Sequence, residues 1–414
     1  MAVKFGYRQT EVGVIPEEWE VKPLQEVGKF AKGKGLLKED IKTSGRIPAI
    51  PYTALYTDFS ELLNYDHIKW FVDDEAQTYI ANEPCVLIAS SSNMTANTGK
   101  ASALTRATPV AIGREVIIFK TASDCSYISY LLGTTQYRQK TLSLARGTTI
   151  KHLYPTTFKN YRIALPSLSE QRAIATALSD IDALLGALER LIAKKRDLKQ
   201  AAMQKLLIGQ TRLPGFSAEW TPTTLGEVAT FLSGGTPSRG NDAYWNGNIP
   251  WISATSLRCF EIWRSDSNVT EEAVASGSKI APLGSTLLLV RGSALHKEIL
   301  CGLVTKRVCF NQDVKALVPH CKVFPRFLTT LIKGRAEEFL KLVSSAGNTA
   351  GVLDTKLLRA FEFLLPGLPE QNAIANVLTD MDTELAALEQ RLTKTRALKQ
   401  GMMQELLTGR TRLL

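Results

Sequence analysis

The sequence predicts an α/β protein built from two globular α/β halves. Two long helices separate these halves and pair as an antiparallel coiled coil inside one chain, giving a pseudo-two-fold molecule. Three observations predict it. Leu165–Leu213 and Leu365–Leu413 match without a gap at more than half of their positions, offset by 200 residues throughout. Both copies carry apolar residues at the 4-3-4-3-4 spacing of a coiled-coil seam. The stretches preceding the copies differ in sequence yet read as the same order of elements: strands, one helix, a G-x-T stretch, then the long helix.

Taken in chain order, residues 1–165 form the first globular domain and 166–212 the first helix. Residues 213–365 form the second globular domain and 366–414 the second helix. In the first half the β-rich runs NEPCVLIAS from Asn82 and REVIIFK from Arg114 precede a candidate helix, SYISYLLGTTQYRQKTL from Ser126. In the second half GSTLLLVRG from Gly284 and DVKALVP from Asp313 precede FPRFLTTLIKGRAEEFLKLV from Phe324. RGTTIKHL from Arg146 matches AGNTAGVL from Ala346, and EWEVKPLQEVGKF from Glu18 resembles EWTPTTLGEVATF from Glu219.

Ser167 and Glu170 have the spacing of a capping box, so they open the first long helix. Its seam is Ile174, Leu178, Ile181, Leu185, Leu188 and Ile192. In the second copy it is Ile374, Leu378, Met381, Leu385, Leu388 and Leu392, after Gly367 at the cap and Pro369 in the first turn. The spacing slips before Leu198 and Leu398, and Gly209 and Gly409 are natural stops. About 40 residues at 1.5 Å each give a rod of roughly 60 Å. Such a stripe needs a partner. Either the two rods bury each other, antiparallel as the pseudo-dyad demands, or each packs on its own globular half.

Composition narrows the function. The chain has 414 residues, a net charge of +10 and a pI near 9.2. The charge is +4 over 1–165, +3 over 166–212, +3 over 213–365 and zero over 366–414. A spread-out basic excess favours a polyanion, with the surface built by folding rather than by a tail. Apolar runs are too short for a membrane span, and the N-terminus lacks an apolar signal core, which points to the cytoplasm. Six scattered cysteines without C-x-x-C or histidine spacing argue against zinc and against a disulfide framework.

Candidate ligand contacts cluster in loops. SGGTPSRGNDAYWNGNIPWIS from Ser233 is a Gly/Pro/Ser/Asn loop pinned by Tyr244, Trp245 and Trp251, with Arg239 able to reach a phosphate or a guanine edge. Lys32 and Lys34 sit on a glycine-rich turn suited to phosphate. Ser92, Asn93 and Lys100 follow one strand, and Arg291 and Lys297 follow another. These eight are the candidate nucleic-acid contacts.

No catalytic or metal set emerges. NTGKAS from Asn97 lacks the glycine of a phosphate-binding loop at Met94 and its Ser/Thr at Ala101. GKG from Gly33 is not a dinucleotide fingerprint, and there is no nuclease set, amino-methylation motif or nucleophile elbow. His67, His152, His296 and His320 are isolated. Asp180/Asp182 and Asp380/Asp382 are duplicated, but i and i+2 diverge on a helix, so they face a partner or solvent rather than a shared metal.

The twice-repeated P-x-L-x-E-Q-x-x-I-A, the L-K-Q-x-x-M-Q-x-L-L-x-G-x-T-R-L ending and G-G-T-P-S-R…Y-W-N-G-N-I-P-W-I-S resemble the specificity subunit of type I restriction–modification systems. The resemblance spans essentially the whole chain. The first globular domain departs from the GGTPS…YWNG pattern and is assigned by position. The family implies two target recognition domains, each reading one half of a bipartite, asymmetric site in double-stranded DNA. It implies paired helices that set the spacer and dock two modification (methyltransferase) subunits, with restriction (motor/nuclease) subunits joining the full complex. It implies a non-catalytic chain without its own cofactor, S-adenosylmethionine, ATP and Mg belonging to the partners. A fused enzyme with its own methyltransferase or nuclease activity, and a coiled-coil adaptor that binds no DNA, remain alternatives.

Overall fold

The structure is a computed structural model that describes residues 5–37, 39–73, 78–92, 94–346 and 350–413. The chain forms two compact units, one of Met1–Glu189 with Gln390–Leu414 and one of Arg190–Glu389. The boundary falls inside both long helices, Leu168–Leu207 and Leu368–Leu406. Each unit therefore holds one globular domain, the N-terminal half of one helix and the C-terminal half of the other.

In the first unit a four-stranded antiparallel sheet runs in the order Ala101–Leu104, Cys85–Ala89, Val116–Thr121, Gly28–Lys32. A second sheet runs Trp70–Val72, Ile47–Ile50, Val110–Ile112, Tyr79–Ala81. Strand alternation splits the apolar residues between two cores. Leu87, Ala89, Val116 and Ile118 meet the second sheet. Val86, Ile88, Ile117 and Phe119 face the helix Cys125–Gly133 and the long helices. Both faces of this sheet are thus buried, which is why its strands read as continuous apolar runs.

The second unit repeats the plan with different residues. One sheet runs Ala229–Ser233, Val314–Pro319, Thr286–Leu289, Cys301–Val304, with Glu261–Ile262 added at the far edge. The other runs Asn268–Val269, Trp245–Ile252, Val308–Phe310, Lys279–Ala281. Even the lone parallel pairing of the second sheet recurs: Ile112 lies opposite Ile50, and Phe310 opposite Ile252. The four β-rich runs expected from sequence are all strands. The two candidate helices each break in two, at Thr134 and at Arg335. Thr134 is extended, with φ −66° and ψ 150°. At Gly334, just before the second break, a Cβ would lie 2.2 Å from Leu207 and 3.0 Å from Met203, so the missing side chain lets the first long helix pack close.

The two long helices pair, and they also pack on the domains. In the first unit Lys399 meets Asp182 at 2.7 Å and Arg396 meets Glu189 at 2.6 Å. In the second unit Lys195 meets Glu384 at 2.7 Å, and Lys199 bonds Asp382. In both units the residue number falls on one helix as it rises on the other, so the pairing is antiparallel. The ends serve the domains. Ile174, Leu178, Leu406 and Leu407 enter the core of the first unit, and Ile374, Leu378, Leu206 and Leu207 that of the second. The two arrangements weighed from sequence therefore hold together.

Two local expectations change. Ser167 Oγ does accept the Glu170 N–H at 3.3 Å, but the Glu170 side chain turns to Arg412 instead of closing the capping box. The spacing does not slip at Leu198 and Leu398, which are exposed. Lys199 and Lys399 stand on the pairing face there and carry ion pairs, so a search for apolar residues misses them. Asp182 and Asp382 face the paired helix, while Asp180 and Asp380 are exposed. Gly209 and Gly409 end the helices in the left-handed region, at φ +73° and +71°.

Lys399 is the centre of a polar knot in the first unit. Its ammonium also lies 2.8 Å from Glu61, while Asp182 accepts from the Tyr130 hydroxyl at 2.7 Å. Burial pushes the Glu61 carboxyl up, but the Lys399 charge outweighs it and holds the group below its ordinary value. A folded-state pKa below the unfolded value contributes stability above the unfolded value and loses it as pH falls through the folded one. Acid titration of the wild-type chain, followed by circular dichroism, is expected to show that loss below about pH 4.3, the ordinary glutamate value. Lys399→Met is expected to be less stable at neutral pH by about 2–4 kcal/mol and to have a flatter acid limb.

Candidate nucleic-acid interface

The repeated signature residues build a clamp in each unit. Glu170 is 3% exposed and accepts Arg412 Nε at 2.6 Å, Arg412 Nη2 at 2.9 Å and the Trp19 indole N–H at 3.1 Å. Glu370, equally buried, accepts Arg212 Nε and Nη2, each at 2.6 Å, and Trp220 at 2.9 Å. Gln171 and Gln371 follow suit. Their carbonyl oxygens accept the Asp124 N–H at 3.0 Å and the Phe324 N–H at 2.8 Å, beside the starts of the domain helices. The duplicated E-W, E-Q and T-R-L are thus structural, and each clamp joins the start of one long helix to the end of the other. Their recurrence is visible in the sequence; their joint role is not, because the partners of Glu170 and Glu370 lie 150 or more positions away and those of Gln171 and Gln371 lie 47 away.

The variable loops gather at one sheet edge in each unit. In the first, strand register puts the end of Gly28–Lys32, the end of Cys85–Ala89 and the start of Val116–Thr121 together. Lys34 N–H donates to Ile112 O at 3.2 Å, Arg114 N–H to Gly35 O at 3.2 Å and Ser90 N–H to Glu115 O at 2.9 Å. Gly33 has no room for a side chain, since a Cβ would meet Gly113 O at 2.0 Å. Lys32, Lys34 and Arg114 are exposed along this edge. Ser91–Ser92 pairs with Lys151–His152, which brings the G-x-T stretch alongside.

The second unit forms the equivalent edge from Gly234–Arg239, Asn311–Asp313 and Arg291–Lys297. Gly235 N–H donates to Phe310 O at 2.8 Å, Val290 N–H to Asp313 O at 2.8 Å and Thr236 Oγ1 to Gln312 Oε1 at 2.6 Å. Arg239 has a defined seat. Its guanidinium carbon lies 4.9 Å from the Trp245 ring and 5.4 Å from the Trp251 ring. The two indoles in turn hold the loop, Trp245 donating to Ser238 O at 3.0 Å and Trp251 to Gly235 O at 3.2 Å. A stacked guanidinium keeps its edge donors free for a planar or tetrahedral anion. Arg291–Gly292 pairs with Ala350–Leu353, again the G-x-T region.

Of the residues expected from sequence, Lys32, Lys34, Arg239, Arg291 and Lys297 are exposed on these edges. Ser92 is 2% exposed and its hydroxyl accepts the Met94 N–H, so it serves the turn. Lys100 is half-buried and donates to Phe59 O at 2.8 Å, and burial lowers its pKa, so it turns away from the edge. Both side chains thus lie behind the exposed edge, held by partners within the chain. Asn93 lies outside the described residues. Arg114, Glu115, Thr236 and Gln312 are on the edges but were missed, because only strand register brings them there. The expected seam residues are buried or half-buried on the paired helices.

Comparison with known proteins bears on the chain's family and fold. Residues 16–196 and 217–396 each match the type I restriction modification DNA specificity domain. The specificity subunit of the Escherichia coli type I restriction enzyme EcoR124I/EcoR124II is 33% identical over 184 residues, 44% of this chain and 45% of that one. This chain therefore spans about half the length of that relative. The MjaVIII specificity subunit of Methanocaldococcus jannaschii is 24% identical over 96% of this chain and 94% of its own. The solved S subunit from M. genitalium has a TM-score of 0.54 at 17% identity, covering 94% of this chain and 96% of that one, which shows a shared fold. A chain from a study of assembly and conformational transition of the type I restriction–modification system has a TM-score of 0.59 at 17% identity, covering 96% and 99%. The two domain matches between them take in most of the sequence, and this chain belongs to the family of type I restriction modification DNA specificity domains.

Proposed function

We propose that this chain is the DNA-reading subunit of a type I restriction–modification complex, each unit reading one half of a bipartite, asymmetric site in double-stranded DNA. The observation that carries the reading is the pair of equivalent sheet edges. One scaffold is built twice, and its exposed loops differ: Lys32, Lys34 and Arg114 on one, Arg239, Arg291 and Lys297 on the other. A reader of two unlike half-sites needs that combination. The paired helices act as the ruler between half-sites, since helical rise fixes distance. Methyl transfer, cleavage and ATP use fall to partner subunits carrying S-adenosylmethionine, ATP and Mg, and this chain is non-catalytic. It acts where that complex meets DNA, in the cytoplasm.

Two modification subunits dock on the duplicated outer face of the long helices. Leu168 and Leu368 are 41% and 44% exposed, and Leu198 and Leu398 are 49% and 54% exposed. Each unit thus presents the same apolar pair, as two copies of one partner require.

The test is salt-dependent duplex binding by the full chain with its modification subunits. Arg239→Ala is expected to weaken every duplex by roughly tenfold and to lower the slope of log affinity against log salt by about one, as loss of one phosphate contact does. Absence of salt-dependent binding to random duplex would favour the adaptor reading.

A further inference from the structure

We infer that Glu115 is a specificity-determining residue of the first unit, its carboxylate accepting the exocyclic amino group of a cytosine in the major groove of that half-site. The inference rests on the DNA-reading function proposed above.

Glu115 lies at the centre of the first unit's edge, between Lys32 and the Ser90–Ser92 segment. Its φ is +66°, a left-handed conformation that glycine or asparagine adopts at far less cost. The glutamate side chain there has defined partners. Ser90 Oγ donates to Oε2 at 3.2 Å, and Lys32 Nζ lies 3.5 Å from Oε1. His152 Nδ1 lies 3.8 Å from Oε2. The side chain is 30% exposed, so it is held from behind and open in front. Burial pushes its carboxyl up, yet the Lys32 charge and the Ser91 and Ser90 hydroxyls hold it below its ordinary value. At neutral pH it is an acceptor only.

An anionic acceptor on a basic edge cannot bind phosphate, which repels it. Among DNA groups it suits an amino donor, and cytosine N4 is the donor that glutamate reads in the major groove. The second unit keeps an acid at the equivalent position: Asp313 O accepts the Val290 N–H as Glu115 O accepts that of Ser90. Asp313 itself accepts from Asn311 Nδ2 at 3.2 Å and has a shorter side chain, so the two edges differ in reach. An alternative role, in which Glu115 merely positions Lys32, predicts a different outcome.

The experiment selects preferred sites from a random-sequence duplex library with the full chain and its modification subunits. It compares wild type, Glu115→Gln and Glu115→Gly, each with a thermal melt and a salt titration on random duplex. The expected result is loss of discrimination for cytosine by roughly tenfold at one position of one half-site. Preference at the other half-site stays unchanged, random-duplex affinity rises because a charge that repels phosphate is gone, and Glu115→Gly melts at or above the wild-type temperature because the left-handed strain is relieved. Unchanged preference at every position overturns the assignment. So does a uniform loss of affinity with a smaller salt slope, the mark of a displaced Lys32. A wild-type chain without salt-dependent duplex binding overturns the DNA reading and this assignment with it.

Discussion

Glu170→Ala is expected to lower the unfolding midpoint of the first unit by roughly 6–12 °C, and Glu370→Ala to do the same to the second. The reason is the asymmetry of breaking a buried ion pair. Glu170 is 3% exposed and holds both the Arg412 guanidinium and the Trp19 indole. Its loss leaves Arg412 with only the exposed Glu18 carboxylate, at 3.0 Å, and the Trp19 indole N–H facing a cavity without an acceptor. Removal of one partner of such a pair costs about 3–5 kcal/mol, and a side chain such as Arg412 that retains some solvent contact sets the lower end. About 3 kcal/mol in a unit of this size corresponds to the stated shift. Glu170→Gln keeps the shape and one acceptor, so it is expected to fall between. Because Arg412 closes the end of the second long helix, hydrogen exchange near Leu406 and Leu407 should rise with Glu170→Ala. Differential scanning calorimetry and exchange mass spectrometry measure both. A midpoint unchanged within 2 °C of wild type, on the scale of that shift, would show that water replaces the carboxylate at little cost.

Lengthening the ruler is expected to move the DNA spacer. A heptad inserted after Leu188 together with one after Leu388 preserves Asp182–Lys399 in one unit and Lys195–Glu384 and Lys199–Asp382 in the other. Two turns also keep the seam on one face, with a drift of about 20°. Seven residues add roughly 10 Å, against 3.4 Å per base pair. Duplex twist of about 10.5 base pairs per turn also rotates the second half-site. The preferred spacer is therefore expected to lengthen by about one to three base pairs, with both half-site sequences unchanged. A heptad after Leu188 alone leaves one helix unmatched and is expected to abolish binding to the bipartite site. Mapping methylated positions in cells that express the full complex reads the spacer directly, and an unaltered spacer in the matched variant would refute the ruler.

The candidate interface was partly legible. Arg239 stood out because Gly, Pro and Trp around it announce a pinned loop, and the structure seats it against two indoles. Ser92 and Lys100 were equally plausible by residue type. Whether a lysine faces solvent or donates to a backbone carbonyl such as Phe59 O depends on a neighbour 41 positions away. Glu115 gave no signal, since one carboxylate in a variable region looks like any other until its backbone angle and its neighbours are known.

Residue order alone determined the duplication, the extent and ends of the long helices, and the four principal strands. These follow from spacings of two to four residues and from local stops such as Gly209 and Gly409, which a chain obeys whatever it packs against. Tertiary structure alone decided how each helix divides its length between units. It also chose lysine in place of leucine as the occupant of the pairing face near residues 199 and 399. The fates of Glu170, Lys100 and Glu115 were settled there as well. Those outcomes depend on strand register and on burial shared by segments far apart in the chain, where a charge is stable only if a distant partner arrives to meet it.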